Sequence, residues 1–199
     1  MPHPAIALPR LIAHRGLSAH APENTLAAVR ATREAGCAWV ELDVQLLGDG
    51  TPVIWHDATV KRCSDGRARL ADLDLPAARR LDVGGWFADR FRGERMATLR
   101  EMLGLIEALG LGLNLELKVN RGRSAAALVE GVLPTLLDAL PAERVIVSSF
   151  NADALARARE LAPADRLALG VLFEGITRDW RERCEAVAAF SVHADWKRL

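Results

Sequence analysis

Residues 39–57, WVELDVQLLGDGTPVIWHD, decide how the chain is read. Trp39, Glu41, Asp43 and Gln45 alternate with Val40, Leu42, Val44 and Leu46, so an extended strand puts an apolar set on one face and two carboxylates on the other. At ordinary strand rise Glu41 and Asp43 project side by side, roughly 7 Å apart. Anions that close repel unless a cation or a proton lies between them. Gly48-Asp49-Gly50 then turns the chain into a second strand, Pro52 to Trp55, which delivers His56 and Asp57 at its end. One short segment thus offers a hard-cation site and a titratable imidazole. The same residues also suit the solvent face of a half-buried strand with an ordinary polar end, and the segment alone does not choose. The link between its two strands is too short for a parallel crossover, which needs about a dozen residues, so the fold is expected to be irregular here.

Upstream, Leu11 to Ala13 is a short apolar run ending in His14-Arg15-Gly16, as expected of a buried first strand in an α/β fold whose chemistry gathers at strand carboxyl ends. Asn24 or Thr25 can cap a helix over Leu26 to Ala35, which Gly36 ends. Downstream, Thr98-Leu99-Arg100-Glu101 is a capping box, followed by the apolar stripe Met102, Leu103, Ile106 and Leu109. In LGLNLELKV, Leu113, Leu115 and Leu117 alternate with Asn114, Glu116 and Lys118. In a parallel barrel this turns the polar set inward. Burying a carboxylate and an ammonium costs several kcal/mol, roughly, per unpaired ion. A metal on Glu116 and an anionic substrate on Lys118 offset that cost, and so does a mutual ion pair.

The remainder alternates helix and strand. Ser124 to Leu140 is helical, with Pro134 expected to kink or split it. Val145 to Phe150 is a strand, Asn151 caps a helix over Ala152 to Leu161, and Leu167 to Phe173, Thr177 to Ala188 and Phe190 to Ala194 follow as strand, helix and strand. Such alternation implies a mainly parallel sheet. Between them, residues 58–97 read as loops, a short helix and a Gly84-Gly85-Trp86-Phe87 turn, an elaboration beside the active face.

Lys plus Arg balances Asp plus Glu at 26 each over 199 residues, so no global charge recruits nucleic acid or an anionic membrane. No run approaches the length of a membrane span. Cys37, Cys63 and Cys184 are odd in number and form no CxxC pair, which argues for reduced thiols, and the N-terminal MPHPAIALPRLIAH lacks a charged region followed by a long apolar one, so a cytoplasmic protein is expected. Of the remaining candidates, His3 reads as a mobile tail residue, His20 as a loop residue, and His193 as open between the barrel mouth and elsewhere. Glu23 and Asn24 are expected to fix the first loop by hydrogen bonds, Asp57 to orient a neighbour, and Trp86, Phe87 and Phe150 to anchor packing ahead of a second reading as a head-group wall.

Taken in order, HRG with PENT (His14 to Thr25), VELDVQL with GDGTPVIWHD (Val40 to Asp57), LNLELK (Leu113 to Lys118) and VSSF (Val147 to Phe150) resemble the glycerophosphodiester phosphodiesterases, phospholipase-C-like barrels. The resemblance covers nearly the whole chain as one domain, residues 1–199. It implies an α/β fold, an irregular (β/α)8 TIM-type barrel. It implies that Glu41, Asp43 and Glu116 hold one divalent cation, Mg²⁺ or Ca²⁺, which all-oxygen ligands suit. It further implies that Arg15 and Lys118 bind phosphate and that His14 and His56 serve as general acid and base. The expected reaction is hydrolysis of a glycerophosphodiester to glycerol 3-phosphate and an alcohol, the glycerol 2-hydroxyl or a water on the metal attacking phosphorus. Two other readings are a lysophospholipase D-like activity and a fragment that binds phosphate esters without turnover. The second arises because the family continues past this chain's ADWKRL with a further helix and strand. A barrel short of its last strand is expected to offer open edges for pairing with another chain.

Overall fold

The computed structural model describes residues 3–198. Strand β1 (Ala13–His14) is followed by helix α1 (Leu26–Glu34), then by β2 (Trp39–Leu46) and β3 (Pro52–Ile54). Helices α2 (Leu75–Arg80) and α3 (Leu99–Leu109) precede β4 (Gly112–Leu117). After it come α4 (Ala125–Ala139), β5 (Val145–Ser149), α5 (Ala152–Leu161), β6 (Ala168–Phe173), α6 (Trp180–Ala186) and β7 (Ser191–Ala194). The parallel strands run in the order β1-β2-β4-β5-β6-β7. Among the described residues β1 pairs only with β2 and β7 only with β6, so the sheet curls as an incomplete (β/α)8-type barrel.

One edge of β2 carries β4 over Trp39 to Val44. The other edge is shared: β1 occupies it at Val40 and Glu41, and antiparallel β3 occupies it at Val44 to Leu46. This is the irregularity that the tight Gly48-Asp49-Gly50 turn demands. Because β3 runs back down β2, Trp55 N–H donates to the Asp43 carbonyl at 2.9 Å and His56 arrives near the level where β1 ends in His14.

Leu42, Val44, Leu113, Leu115, Leu117, Val145, Val147 and Leu169 point outward and bury against α1, α3, α4 and α5. The α3 capping box is formed, Thr98 Oγ1 accepting from the Glu101 N–H at 3.3 Å while Glu101 accepts from the Thr98 N–H at 2.9 Å. Inward residues make the floor and the mouth. At the floor, Trp39, Ile146 and Ala168 pack with Ile6, Ile12 and Phe190. Gly112 pairs with Trp39, and a Cβ there would lie 2.2 Å from the indole, so only glycine admits the ring. Residues 58–97 gather round a second cluster, including Leu47, Trp55, Val60, Cys63, Leu70 and Met96.

Several expectations are corrected. The first strand is two residues long, and Leu11 is 75% exposed. Helix α4 runs unbroken through Pro134; the carbonyl that loses its donor is that of Glu130, an exposed residue on the solvent side. Helix α6 starts at Trp180 instead of Thr177. His3 packs edge-to-face on Phe190, ring centroids 5.6 Å apart, so it is part of the floor and not a free tail. Leu199, where the sequence stops, lies outside the described residues. No described helix is long and apolar enough to cross a membrane.

Candidate active site

The HRG segment is held by backbone geometry that few residues tolerate. Arg15 has φ 58° and Gly16 φ 79°, and a Cβ on Gly16 would lie 2.5 Å from that of Ala28. The chain therefore turns sharply against α1 just after His14. The Arg15 N–H is free to donate to Glu41 Oε2 at 3.0 Å. Thr25 caps α1, accepting from the Ala28 N–H at 3.2 Å. Asn24 does different work at φ 57°: its amide donates to Asp43 Oδ2 at 2.8 Å and accepts from the Asp43 N–H at 3.2 Å.

Strand register then assembles the carboxylates. Glu41 is opposite Asn114 and Asp43 is opposite Glu116. One oxygen from each of Glu41, Asp43 and Glu116 lies within 4.8 Å of the others. Burial, and next the Asp43 carboxylate, push the Glu41 carboxyl up to about 8. Burial and Asp43 also raise Glu116, against the pull of Lys118. Three crowded carboxyls, two of them with raised affinity for a proton and all offering only oxygen, fit a hard divalent cation. The buried Asn114 Oδ1, beside them in register, has no hydrogen-bond partner in the protein.

Cations and imidazoles ring this cluster. Lys118 Nζ donates to Glu116 Oε1 at 2.8 Å and is 3.6 Å from Asp43 Oδ1. Arg15 places Nε 3.4 Å from Asp43 Oδ2 and donates through NH1 to Glu23 Oε1 at 2.8 Å. His14 Nε2 stands 3.7 Å from Glu41 Oε2, too long for a hydrogen bond, and its side chain is 70% exposed at the mouth. Partial burial of the ring and the Arg15 charge lower its pKa, against Asp43 and Glu23. His56 Nδ1–H donates to Asp57 Oδ1 at 2.6 Å. Burial alone would raise Asp57, yet hydrogen bonds from Arg62 and His56 outweigh it and hold the carboxyl at about 2.

All seven residues singled out from the sequence (His14, Arg15, Glu41, Asp43, His56, Glu116 and Lys118) are thus gathered at one end of the barrel. The structure adds others. Arg62, read as a plain loop residue, bonds both Glu23 and Asp57. Gln45 donates to the carbonyls of Trp55, His56 and Asp57 at 2.9, 2.7 and 3.1 Å, and so fixes the backbone that carries His56. Its place in the 39, 41, 43, 45 alternation was the available signal. His193 shares a 2.8 Å hydrogen bond with Ser191, whose partner across β6 is Gly170 on the inward row that includes Ser148 and Glu116. Phe150 is 45% exposed with the Lys118 ammonium 5.8 Å from its ring centroid, so it is not a packing anchor. Trp86, 42% exposed, meets Phe87 edge-to-face.

The curled parallel sheet with an acidic triad, two imidazoles and two cations at its strand ends defines an acid-centred (β/α)-barrel protein. Residues 14–196 match the Glycerophosphoryl diester phosphodiesterase family, and the chain belongs to that family. It is 38% identical over 188 residues to a glycerophosphodiester phosphodiesterase of Caldanaerobacter subterraneus, covering 92% of this chain and 74% of that protein. A Bacillus subtilis relative is 37% identical over 155 residues, 77% of this chain and 62% of its own length. Among solved structures, an Oleispira antarctica phosphodiesterase in complex with the product sn-glycerol-3-phosphate superposes with a TM-score of 0.92 at 37% identity, over 96% of this chain and 77% of that one.

Proposed function

We propose that the chain hydrolyses glycerophosphodiesters to glycerol 3-phosphate and an alcohol. The observation that carries the reading is the meeting of Glu41, Asp43 and Glu116 oxygens within 4.8 Å, at the ends of strands that also deliver His14 and Lys118. Family membership supports it, as does the product named for the Oleispira relative.

In this reading Glu41, Asp43 and Glu116 hold Mg²⁺ or Ca²⁺. The bound ion would neutralise charge on the phosphate oxygens. Arg15 and Lys118 take the phosphate, Arg15 with the terminal nitrogen that has no protein partner among the described residues and Lys118 as a mobile point charge. Oxygen of the glycerol 2-hydroxyl or of water bonds to phosphorus as the bond to the head-group oxygen breaks. One imidazole removes the proton of the attacking oxygen, and the other gives a proton to the departing alkoxide. If the 2-hydroxyl attacks, water opens the resulting cyclic ester with the two roles exchanged. Asp57 fixes the His56 tautomer with the proton on Nδ1, leaving Nε2 to exchange protons with substrate.

The three cysteines are free, in keeping with the reducing cytoplasm we propose as its compartment. The test is release of glycerol 3-phosphate from glycerophosphocholine with Mg²⁺ or Ca²⁺ and its loss with chelator. Binding of the ester without release favours the non-hydrolytic alternative, and a rate that climbs with acyl-chain length favours a lipid substrate.

A further inference from the structure

A line of charged side chains beside the barrel mouth joins the phosphate-binding arginine to one of the imidazoles. Arg62 uses its guanidinium twice. NH1 and NH2 donate to Glu23 Oε2 and Oε1 at 2.6 and 2.8 Å, while Nε and NH2 donate to Asp57 Oδ2 and Oδ1 at 2.6 and 3.0 Å. Glu23 Oε1 also accepts from Arg15 NH1 at 2.8 Å, and Asp57 Oδ1 from His56 Nδ1 at 2.6 Å. The contacts run without a break from Arg15 through Glu23, Arg62 and Asp57 to His56.

We propose that Arg62, with Glu23, is a positioning residue that holds Arg15 and His56 in fixed relation, so that the phosphate grip and the proton transfer act on one bound ester. This rests on the roles of Arg15 and His56 given above. The Arg62 side chain is 46% exposed, where ion pairs add little to stability. Four charge-assisted bonds on a half-exposed side chain therefore do little for the fold, and what they fix is geometry. Only a planar fork can engage two carboxylates in this way; a lysine cannot. The backbone is built to hold that fork still. Val60 and Cys63, on either side of Arg62, are buried in the second cluster, and Trp55 Nε1–H donates to the Thr59 carbonyl at 3.1 Å. Burial pushes the Cys63 thiol up to about 12, which suits a packing role. Residues 58–97 thereby gain a purpose at the active face: they carry Arg62 to it.

The test compares Arg62→Met, which keeps the stem, and Arg62→Lys, which keeps the charge, with wild type on glycerophosphocholine and saturating Mg²⁺ or Ca²⁺. Proton NMR of the metal-free protein follows the hydrogen-bonded His56 ring N–H, assigned by its loss in His56→Ala. Both variants are expected to melt within a few degrees of wild type, to lose kcat by about ten- to a hundredfold, and to lose the protected N–H signal. Arg62→Met added to His56→Ala should cost markedly less than in wild type, because the ring it serves is gone. Wild-type kcat with an unchanged N–H signal overturns the proposal, and so does an equal loss with and without the His56 ring. If Arg62→Met does not fold, Arg62→Lys decides by the same readings. An inactive wild type defeats the hydrolytic reading separately. In that case the N–H signal and inorganic-phosphate binding still judge Arg62, which stands if both weaken in the variants and falls if both persist.

Discussion

Asp43 and Glu116 are paired in register across β2 and β4, and Lys118 reaches both, 3.6 Å from one carboxylate and 2.8 Å from the other. The ammonium thus sits on the charge that a divalent ion would otherwise meet. Glu116→Gln removes one of the three carboxylates proposed to hold the ion and should weaken Mg²⁺ or Ca²⁺ binding by about tenfold or more. Titration calorimetry on the folded variant measures it, and unchanged affinity removes Glu116 from the site.

The pH dependence of metal-free stability follows from Glu41. Its folded pKa, about 8, lies above the ordinary 4.5. The stability it contributes is full below pH 4.5 and is lost as pH rises through 8. Urea unfolding in chelator should show wild type losing roughly 1–3 kcal/mol from pH 5 to pH 9, a loss much reduced in Glu41→Gln. Equal slopes in the two proteins contradict the raised carboxyl.

Metal binding inverts that sign, since the ion needs the ionised carboxylate. Affinity should climb between pH 6 and pH 8, by up to about tenfold per unit, with a proton released on binding. Calorimetry in two buffers of different ionisation enthalpy counts the proton; a pH-independent affinity is the contrary result.

His14→Ala and His56→Ala should each lower turnover by about 10²-fold or more, with both proteins folded by circular dichroism. Asp57→Asn should lose less. Full activity in both histidine variants removes the imidazoles from the chemistry.

Gly16→Ala should destabilise the chain by roughly 2 kcal/mol or more, since its φ of 79° and the 2.5 Å approach to Ala28 leave no room for a methyl. Turnover should fall with it, because His14 and Arg15 sit on the same turn. Thermal melting decides, and an unchanged midpoint is the refuting outcome.

The parts of the fold visible in the sequence were those written in local periodicity. The alternation at 113–118 correctly separates Leu113, Leu115 and Leu117 from Asn114 and Glu116, because a strand has no other way to face two environments. The tight Gly48-Asp49-Gly50 turn likewise announces an antiparallel partner for β2. What stayed hidden depends on distant chain. Nothing near Trp39 says that residues 6, 12 and 190 will cover it. Arg62 looks solvated because its partner Glu23 is 39 residues away. Pro134 was expected to kink or split α4, and the helix is not split; sequence does not show that the freed carbonyl would lie on an exposed surface.

The two-residue length of β1 has its own consequence. Because β1 stops at Glu41, the upper stretch of the same β2 margin is vacant for the returning hairpin, so a ring from residue 14 and a ring from residue 56 are mounted on a single rail. The spacing between the two imidazoles is then a property of one strand. The strand that sets it is itself held from later chain, since the Asn120 amide bonds Gln45 and Arg123 donates to the Leu46 and Leu47 carbonyls at 3.0 Å.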